Sequence, residues 1–236
     1  MEKKGAGHRE RLRNKFRKRG IEALNNDEVL EILLTLGTPR RDCKEMSRSL
    51  LKKFGSLPAI FDSAPGELED IKGIGPQNSF ALHFIQAVAR RYLYQRLQGK
   101  HYLSSSREVA DYLNHSMRHL KKEVFKVILL DASLAIIDTK TLFEGSLSKN
   151  TVYPRELVKL ALEYHAAALI ISHNHPSGSQ EPSPEDRKLT RHLYLACSMI
   201  DISLLDHLII GREDTPYSFA DHGDMAEIKR ECQNII

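Results

Sequence analysis

The sequence predicts two regions of different fold class: a small all-helical region over residues 1–100, followed by a mixed α/β sandwich over residues 101–236. In the first region, apolar side chains recur every three or four positions and the runs end at glycines, which is typical of short packed helices. From about residue 105, strand-like apolar runs alternate with helical patterns, which favours packed α/β layers. The polar stretch between the two regions, residues 98–106, is the predicted linker.

The composition is that of an ordinary globular protein, with 236 residues, 41% hydrophobic and 28% charged. No apolar run approaches the roughly 18 residues of a membrane helix, and no apolar segment follows the amino terminus as in a secretory signal. We therefore expect no membrane association. The three cysteines are far apart and form no Cys-x-x-Cys pair. They favour a reducing, cytoplasmic location over disulfides or a zinc ribbon.

Positive charge is concentrated at the amino terminus. Residues 1–20 contain nine Lys or Arg and two Glu, whereas the net charge of the whole chain is only +4. Such a block is either a solvated tail or an arm that binds nucleic-acid phosphates, and charge alone does not decide between them.

Two helices are predicted next, with ends given by capping residues. The first starts at Asn26 or Asp27 and ends at Gly37, and the second starts at a capping box, Asp42-x-x-Glu45, and runs to residue 54. A third, short helix is expected to end at Lys72.

The turn Gly73-Ile-Gly75 precedes a long helix that Pro76 starts and that reaches about residue 97. Glycines and a helix N-terminus let backbone amides approach a phosphate, and Lys72 lies beside them. The stretch resembles the second half of a helix-hairpin-helix motif, which implies weak, sequence-independent DNA binding through Lys72, Gly73 and Gly75. The alternative is a glycine-stabilised helix corner without a ligand.

The second region begins with a helix predicted from the pattern Ser105-x-x-Glu108. A strand and its hairpin partner follow, then a helix, a buried strand, another helix and a last strand. These elements are predicted at residues 123–131, 133–143, 154–164, 168–172, 184–196 and 202–210, with a polar terminal helix over 223–236.

Three potential metal ligands follow the buried strand. His173 and His175 are two residues apart, so in an extended segment their side chains leave on the same face. Ser183 is a good helix N-cap and Pro184 a good first helical residue, which puts Asp186 in the first turn of the next helix. Two imidazoles and one carboxylate form a zinc ligand set with an open fourth position. We expect one Zn²⁺ per chain; the alternative is two solvated loop histidines beside an unrelated carboxylate.

Two further questions remain open at the level of the residues alone. A hydrolytic zinc site needs a carboxylate that is not a ligand; Glu123 begins one predicted strand, and Glu144 lies at the end of the next. His207 lies in an apolar strand, where a histidine is usually a hydrogen-bonded core residue, so it is left out of the metal set.

The pattern His-x-His-Pro, six residues, Ser-x-x-Asp resembles the JAMM motif of the MPN (JAB) metalloproteases. Its local form, His173-Asn-His-Pro-Ser-Gly178, is similar to that of the bacterial RadC family, as are Gly7-His-Arg, Glu31-Ile-Leu-Leu and Phe54-Gly-Ser in the first region. The resemblance over about residues 103–222 implies a cytidine-deaminase-like MPN sandwich. It also implies zinc-dependent hydrolysis of a peptide or isopeptide bond in an unknown protein substrate.

The resemblance also implies roles for two residues. It favours Glu123, at the head of its strand, over Glu144 as the general base, and it implies that Ser183 stabilises the tetrahedral intermediate in addition to capping its helix. The competing hypothesis is a nucleic-acid-associated protein, linked to DNA repair, in which the MPN domain is a metal-stabilised scaffold. It depends on the basic amino terminus and the glycine turn.

Overall fold

The computed structural model describes residues 6–38, 42–145 and 152–233. The first five residues of the basic block and the side chain of Ser105 lie outside this part. The chain forms two compact units, residues 1–89 and 90–236.

The first unit is helical and has its own core. The core contains Leu30, Leu34, Leu50, Ile60 and Leu68, all without solvent exposure. The elements are α1 (Ala6–Arg19), a 3-10 turn (Ile21–Ala23), α2 (Asn26–Gly37), α3 (Lys44–Phe54), α4 (Leu57–Phe61), α5 (Pro65–Glu69) and α6 (Pro76–Leu97), whose last turns belong to the second unit.

Some helix ends agree with the predicted ones and others differ. α2 begins at Asn26 and ends at Gly37, as predicted, and Asn25 is its N-cap, in a capping box with Glu28. The predicted box at Asp42 is absent, because the Asp42 carboxylate accepts from the Lys44 amide, 3.0 Å away, and Cys43 is the N-cap. The helix before the glycine turn ends at Glu69, three residues earlier than expected.

The second unit is an α/β sandwich around one mixed sheet. Its strand order is β2-β1-β3-β4-β5, in which β3 and β4 are parallel and the other neighbours are antiparallel. The elements are α7 (Tyr102–Met117), β1 (Glu123–Leu130), β2 (Ile136–Gly145), α8 (Pro154–Glu163), β3 (Ala168–Asn174), α9 (Pro184–Ser198), β4 (Ser203–Ile210), β5 (Tyr217–Ser218) and α10 (Asp224–Cys232).

Both faces of the sheet are covered. On one face, Val124, Ile128 and Ile170 belong to a core cluster with residues of α7. On the other, Phe125 and Ile171 belong to a cluster with residues of α8, α9 and α10. The central strand β3 is buried along its whole length, which explains the apolar run over residues 168–171.

Two predicted boundaries in this unit were wrong by three residues. The helix predicted from Ser105 begins at Tyr102, after His101. The second strand of the hairpin begins at Ile136, because the Asp131 carboxylate accepts from the amides of Ser133 and Ala135 and closes a turn there. Among the helices of the described residues, none is both long and apolar enough to cross a membrane.

Candidate metal centre

His173 and His175 lie at the carboxyl end of β3. His173 is fully buried and faces the same side of the sheet as Phe125, its register partner on β1, with the two rings stacked 6.3 Å apart. His175 follows Asn174, the last residue of the strand, and is partly exposed.

Asp186 is held in the first turn of α9 by the predicted cap. The Asp186 amide donates to Ser183 Oγ, 3.1 Å away, and the Ser183 amide donates to Asp186 Oδ2, 2.8 Å away. The Ser183 hydroxyl also donates to Asp186 Oδ2 at 2.7 Å. The carboxylate is therefore fixed in a buried position by the residue that starts its helix.

These three side chains converge on one point. His173 Nε2 lies 2.8 Å from His175 Nε2 and 3.1 Å from Asp186 Oδ1, and His175 Nε2 lies 3.3 Å from Asp186 Oδ2. In the part of the chain that the structure describes, this is the one cluster of at least three His, Cys, Asp or Glu that could hold a metal ion.

The electrostatics of the cluster favour a cation. Burial opposes ionisation of Asp186, but the hydrogen bonds with His173, His175 and Ser183 outweigh it and hold the pKa of Asp186 well below its ordinary value. The hydrogen bond with Asp186 raises the pKa of His175 against the effect of burial, and the Glu123 charge raises it further. The centre therefore attracts positive charge.

The donor atoms fit a metal ion. His175 Nδ1 lies 3.0 Å from the Ser179 carbonyl oxygen, to which it donates, so in the neutral ring Nε2 carries the lone pair that can bind a metal. His173 Nδ1 is likewise engaged away from the cluster, with His207, 2.8 Å away. Two imidazole nitrogens and a carboxylate at these distances need a proton or a metal ion among them. Two imidazoles and a carboxylate are ligands that zinc accepts.

The comparisons with known proteins agree with this geometry. A model described as RadC-like JAB domain matches residues 103–224, and one described as UPF0758 N-terminal matches residues 4–80. The chain is 39% identical to a UPF0758 protein of Idiomarina loihiensis over 214 residues, covering 91% of this chain and 95% of the relative. It is 41% identical to a UPF0758 protein of Ralstonia nicotianae, covering 92% and 96%. The chain belongs to the RadC (UPF0758) family. Its second unit contains a JAB domain, a fold compatible with a metal-dependent hydrolase.

The two candidate bases of this RadC-family chain face different sides of the sheet. Glu123 pairs with Gly145 and lines a cleft of about 870 Å³ together with His175, Ser183 and Asp186. Glu144 is exposed and lies opposite Val124, whose side chain is in the core on the α7 face. Directly opposed residues share a face, so Glu144 points away from the cluster.

Sequence reasoning missed the contact that His207 makes. This histidine lies in β4, is fully buried, and is hydrogen-bonded to His173 and to Thr190 of α9. Complete burial holds its pKa far below the ordinary value. A buried polar ring in an apolar strand needs hydrogen-bond partners, and this requirement was the one sign in the sequence that His207 contacts other polar groups.

The predicted phosphate-binding turn of the RadC-family chain lies in the first unit. Gly73 has a left-handed φ of 95°, and a Cβ there would lie 3.0 Å from Met46 Sδ. Gly75 has open space around its Cα, and Lys72 is exposed. These features are those of a tight turn with an accessible outer side.

Proposed function

We propose that this chain is a zinc-dependent metallohydrolase of the JAMM type that cleaves a peptide or isopeptide bond. One observation carries the proposal: the Glu123 carboxylate lines the same cleft as His175 and Asp186. A metal that only stabilised the fold would need ligands alone, whereas hydrolysis needs a carboxylate beside them.

The residues divide the chemistry between them. His173, His175 and Asp186 would hold the ion. When bound, zinc supplies Lewis-acid polarisation of the scissile carbonyl and lowers the pKa of water. Glu123 accepts a proton from the attacking water as the new C–O bond forms. It returns that proton to the leaving nitrogen as the C–N bond breaks, so the products are a carboxylic acid and an amine.

The cleft supports an extended substrate that enters from solvent. Its volume of about 870 Å³ is within the usual range for ligand sites, and the exposed Lys121 and Lys122 lie on its rim with Pro176 and Ser177. The thiols of Cys43, Cys197 and Cys232 are buried and form no disulfide within the described residues, which supports a reducing compartment, for which we propose the cytoplasm.

The test is a matched pair of substitutions in the full, zinc-loaded chain, assayed on a peptide library made from a bacterial proteome. Glu123→Gln keeps the size of the side chain but removes the proton acceptor. We expect turnover to fall by about 10²–10⁴-fold with zinc content unchanged. Glu144→Gln serves as the control and is expected to retain activity.

Two results would contradict this mechanism. If Glu144→Gln abolished cleavage and Glu123→Gln did not, the base would come from the other strand of the hairpin. If the wild-type chain bound zinc but cleaved no peptide or isopeptide bond, the scaffold alternative would stand.

We also propose that the first unit binds DNA weakly and without sequence preference. The supporting observation is the exposed charge of α1, together with exposed Lys72 beside the glycine turn. The exposed basic residues of α1 are Arg11, Arg13, Arg17, Lys18 and Arg19. Contacts between such side chains and phosphates release counterions, so affinity should fall steeply with salt.

A charge-reversal pair tests the nucleic-acid proposal in the full chain. Arg13→Glu with Lys18→Glu should weaken binding of duplex DNA at low salt and reduce the slope of log affinity against log salt by about 2. Lys159→Glu with Lys188→Glu, both exposed in the second unit, makes the same change in net charge and should have little effect. Equal losses in both variants, or no DNA binding by the wild-type chain at low salt, would refute the proposal.

A further inference from the structure

His207 and Thr190 form a chain of hydrogen bonds behind the candidate metal centre. His207 Nε2 lies 2.8 Å from His173 Nδ1, and His207 Nδ1 lies 2.7 Å from Thr190 Oγ1. Thr190 Oγ1 lies 2.6 Å from the backbone carbonyl oxygen of Asp186. This series of hydrogen bonds therefore begins at the candidate ligand His173, on β3, and ends at the candidate ligand Asp186, on α9.

The chemistry of the groups fixes the direction of every bond. A carbonyl oxygen only accepts, so Thr190 donates its single hydroxyl hydrogen to Asp186. The same oxygen must then accept from His207, which puts a proton on His207 Nδ1. The ring has no exposed surface, and its two nitrogens face only a hydroxyl oxygen and an imidazole, so with the proton on Nδ1 its Nε2 carries a lone pair. That lone pair accepts the Nδ1–H of His173.

The ring of His207 is also held in place by its neighbours. Its centroid lies 4.8 Å from that of Phe219 and 6.0 Å from that of Phe125. A ring held between two aromatic side chains, with both nitrogens hydrogen-bonded, has no alternative orientation that satisfies the same partners. The orientation of His173 is then determined by His207.

The geometry points to His207 and Thr190 as positioning residues, which fix the tautomer and ring orientation of His173 so that its Nε2 lone pair faces the metal. Neither residue lines the cleft with Glu123, and both act through His173 and Asp186. This inference rests on the proposed function, because it concerns how that site holds its ion. A core histidine that only filled space would have no such effect.

Four variants of the full chain separate positioning from packing. Thr190→Val removes the hydroxyl at nearly constant volume, and Thr190→Ser keeps the hydroxyl while removing a methyl group. His207→Phe keeps an aromatic ring without nitrogens, and His192→Phe makes the same exchange at an exposed position on α9. Zinc dissociation constants are measured by competition with a chelator, and thermal unfolding confirms that each variant is folded.

We expect Thr190→Val and His207→Phe to weaken zinc binding by about 10–100-fold, the usual effect of removing a hydrogen-bond partner of a metal ligand. Thr190→Ser and His192→Phe should stay within about threefold of wild type. If His207→Phe does not fold, the difference in zinc affinity between Thr190→Val and Thr190→Ser tests the inference. Wild-type zinc affinity in Thr190→Val, with the protein folded, would overturn the inference.

A second measurement does not depend on zinc or on activity. In the zinc-free wild-type chain, ¹⁵N NMR of the histidine rings should find His207 neutral, with its proton on Nδ1, and His173 protonated on Nδ1. A proton on His207 Nε2 would overturn the inference. A chain with these tautomers that hydrolyses nothing would refute the proposed function and leave the positioning role intact.

Discussion

The Ser183 hydroxyl has one hydrogen atom and two possible acceptors for it, the Asp186 carboxylate and an oxyanion in the cleft. Its hydroxyl oxygen accepts from the Asp186 amide, and its hydrogen is donated to Asp186 Oδ2. The cap and the fixing of the carboxylate are therefore made at the same time. The role in stabilising an oxyanion, which the family resemblance implies, requires that hydrogen to turn away from Asp186 and into the cleft during the reaction.

Lys126 gives a prediction about stability at the residue level. It lies on β1 with its Nζ over the ring of Tyr112, 5.3 Å from the centroid, and burial, aided by the charge of Arg90, lowers its pKa from 10.5 to about 8. Below pH 8 the folded state holds a partly desolvated ammonium group. Lys126→Met should therefore raise the free energy of unfolding at pH 7 by about 1–3 kcal/mol.

The sign of the pH dependence follows from the two pKa values. Between about pH 8 and 10.5 the unfolded state binds more protons than the folded state, so wild-type stability rises with pH and the advantage of Lys126→Met shrinks to nothing. Urea unfolding at pH 7 and pH 10.5 measures this. Lys159→Met, at an exposed position on α8, is the control and should change stability by less than about 0.5 kcal/mol. An equal gain at both pH values would exclude this explanation.

The candidate ligands could be predicted from the sequence because all three lie within one strand, one turn and the first turn of a helix. Their geometry is local, so periodicity and capping rules suffice. His207 could not be predicted in the same way. It approaches His173 only because β4 pairs with β3, and the sheet order depends on contacts between distant segments.

At the scale of elements, sequence signals located most helices and strands and misjudged some of their ends. The turn at Asp131 shows why. Its carboxylate accepts from the amides of both Ser133 and Ala135, so the apolar residues Leu134 and Ala135 lie in the turn and β2 begins only at Ile136. A side chain that takes backbone amides away from strand pairing leaves no periodic pattern of apolar residues in the sequence, so the strand end could not be predicted.

The turn between α5 and α6 gives a prediction at this scale. Gly73 has a positive φ and lies against Met46, so Gly73→Ala should lower the free energy of unfolding of the first unit by about 1–3 kcal/mol. Gly75 has neither constraint, and Gly75→Ala should change it by less than about 0.5 kcal/mol. Urea unfolding of the full chain, with hydrogen exchange to localise the loss to α3 and α6, measures both. Equal losses of unfolding free energy in the two variants would mean that the positive φ of Gly73 is not the reason why the turn needs glycine.

At the scale of the whole molecule, the sequence predicted the fold classes of the two regions, an all-helical region and a mixed α/β sandwich. Composition and periodicity gave the helical and α/β classes, but the MPN-like arrangement came from the resemblance of the His173–Asp186 motif. Local patterns do not specify which strands pair, since the same alternation fits several sheet orders. The separate apolar clusters of the first and second units show that each has a core of its own.

Because His173, His175 and Asp186 all belong to the second unit, zinc should stabilise that unit selectively. At a free zinc concentration of 100 times the dissociation constant, binding to the folded state alone contributes about 2.7 kcal/mol, which slows exchange through global unfolding by about 100-fold. Hydrogen exchange of the full chain should show this slowing in β1, β3 and β4, and little change in α2 and α3. Magnesium at the same concentration should have no such effect, because it prefers oxygen ligands.

The double variant His173→Ala/His175→Ala should lose the response. Equimolar zinc retained by that variant would contradict the ligand assignment, and equal slowing in α2 and α3 would show that the two units unfold together.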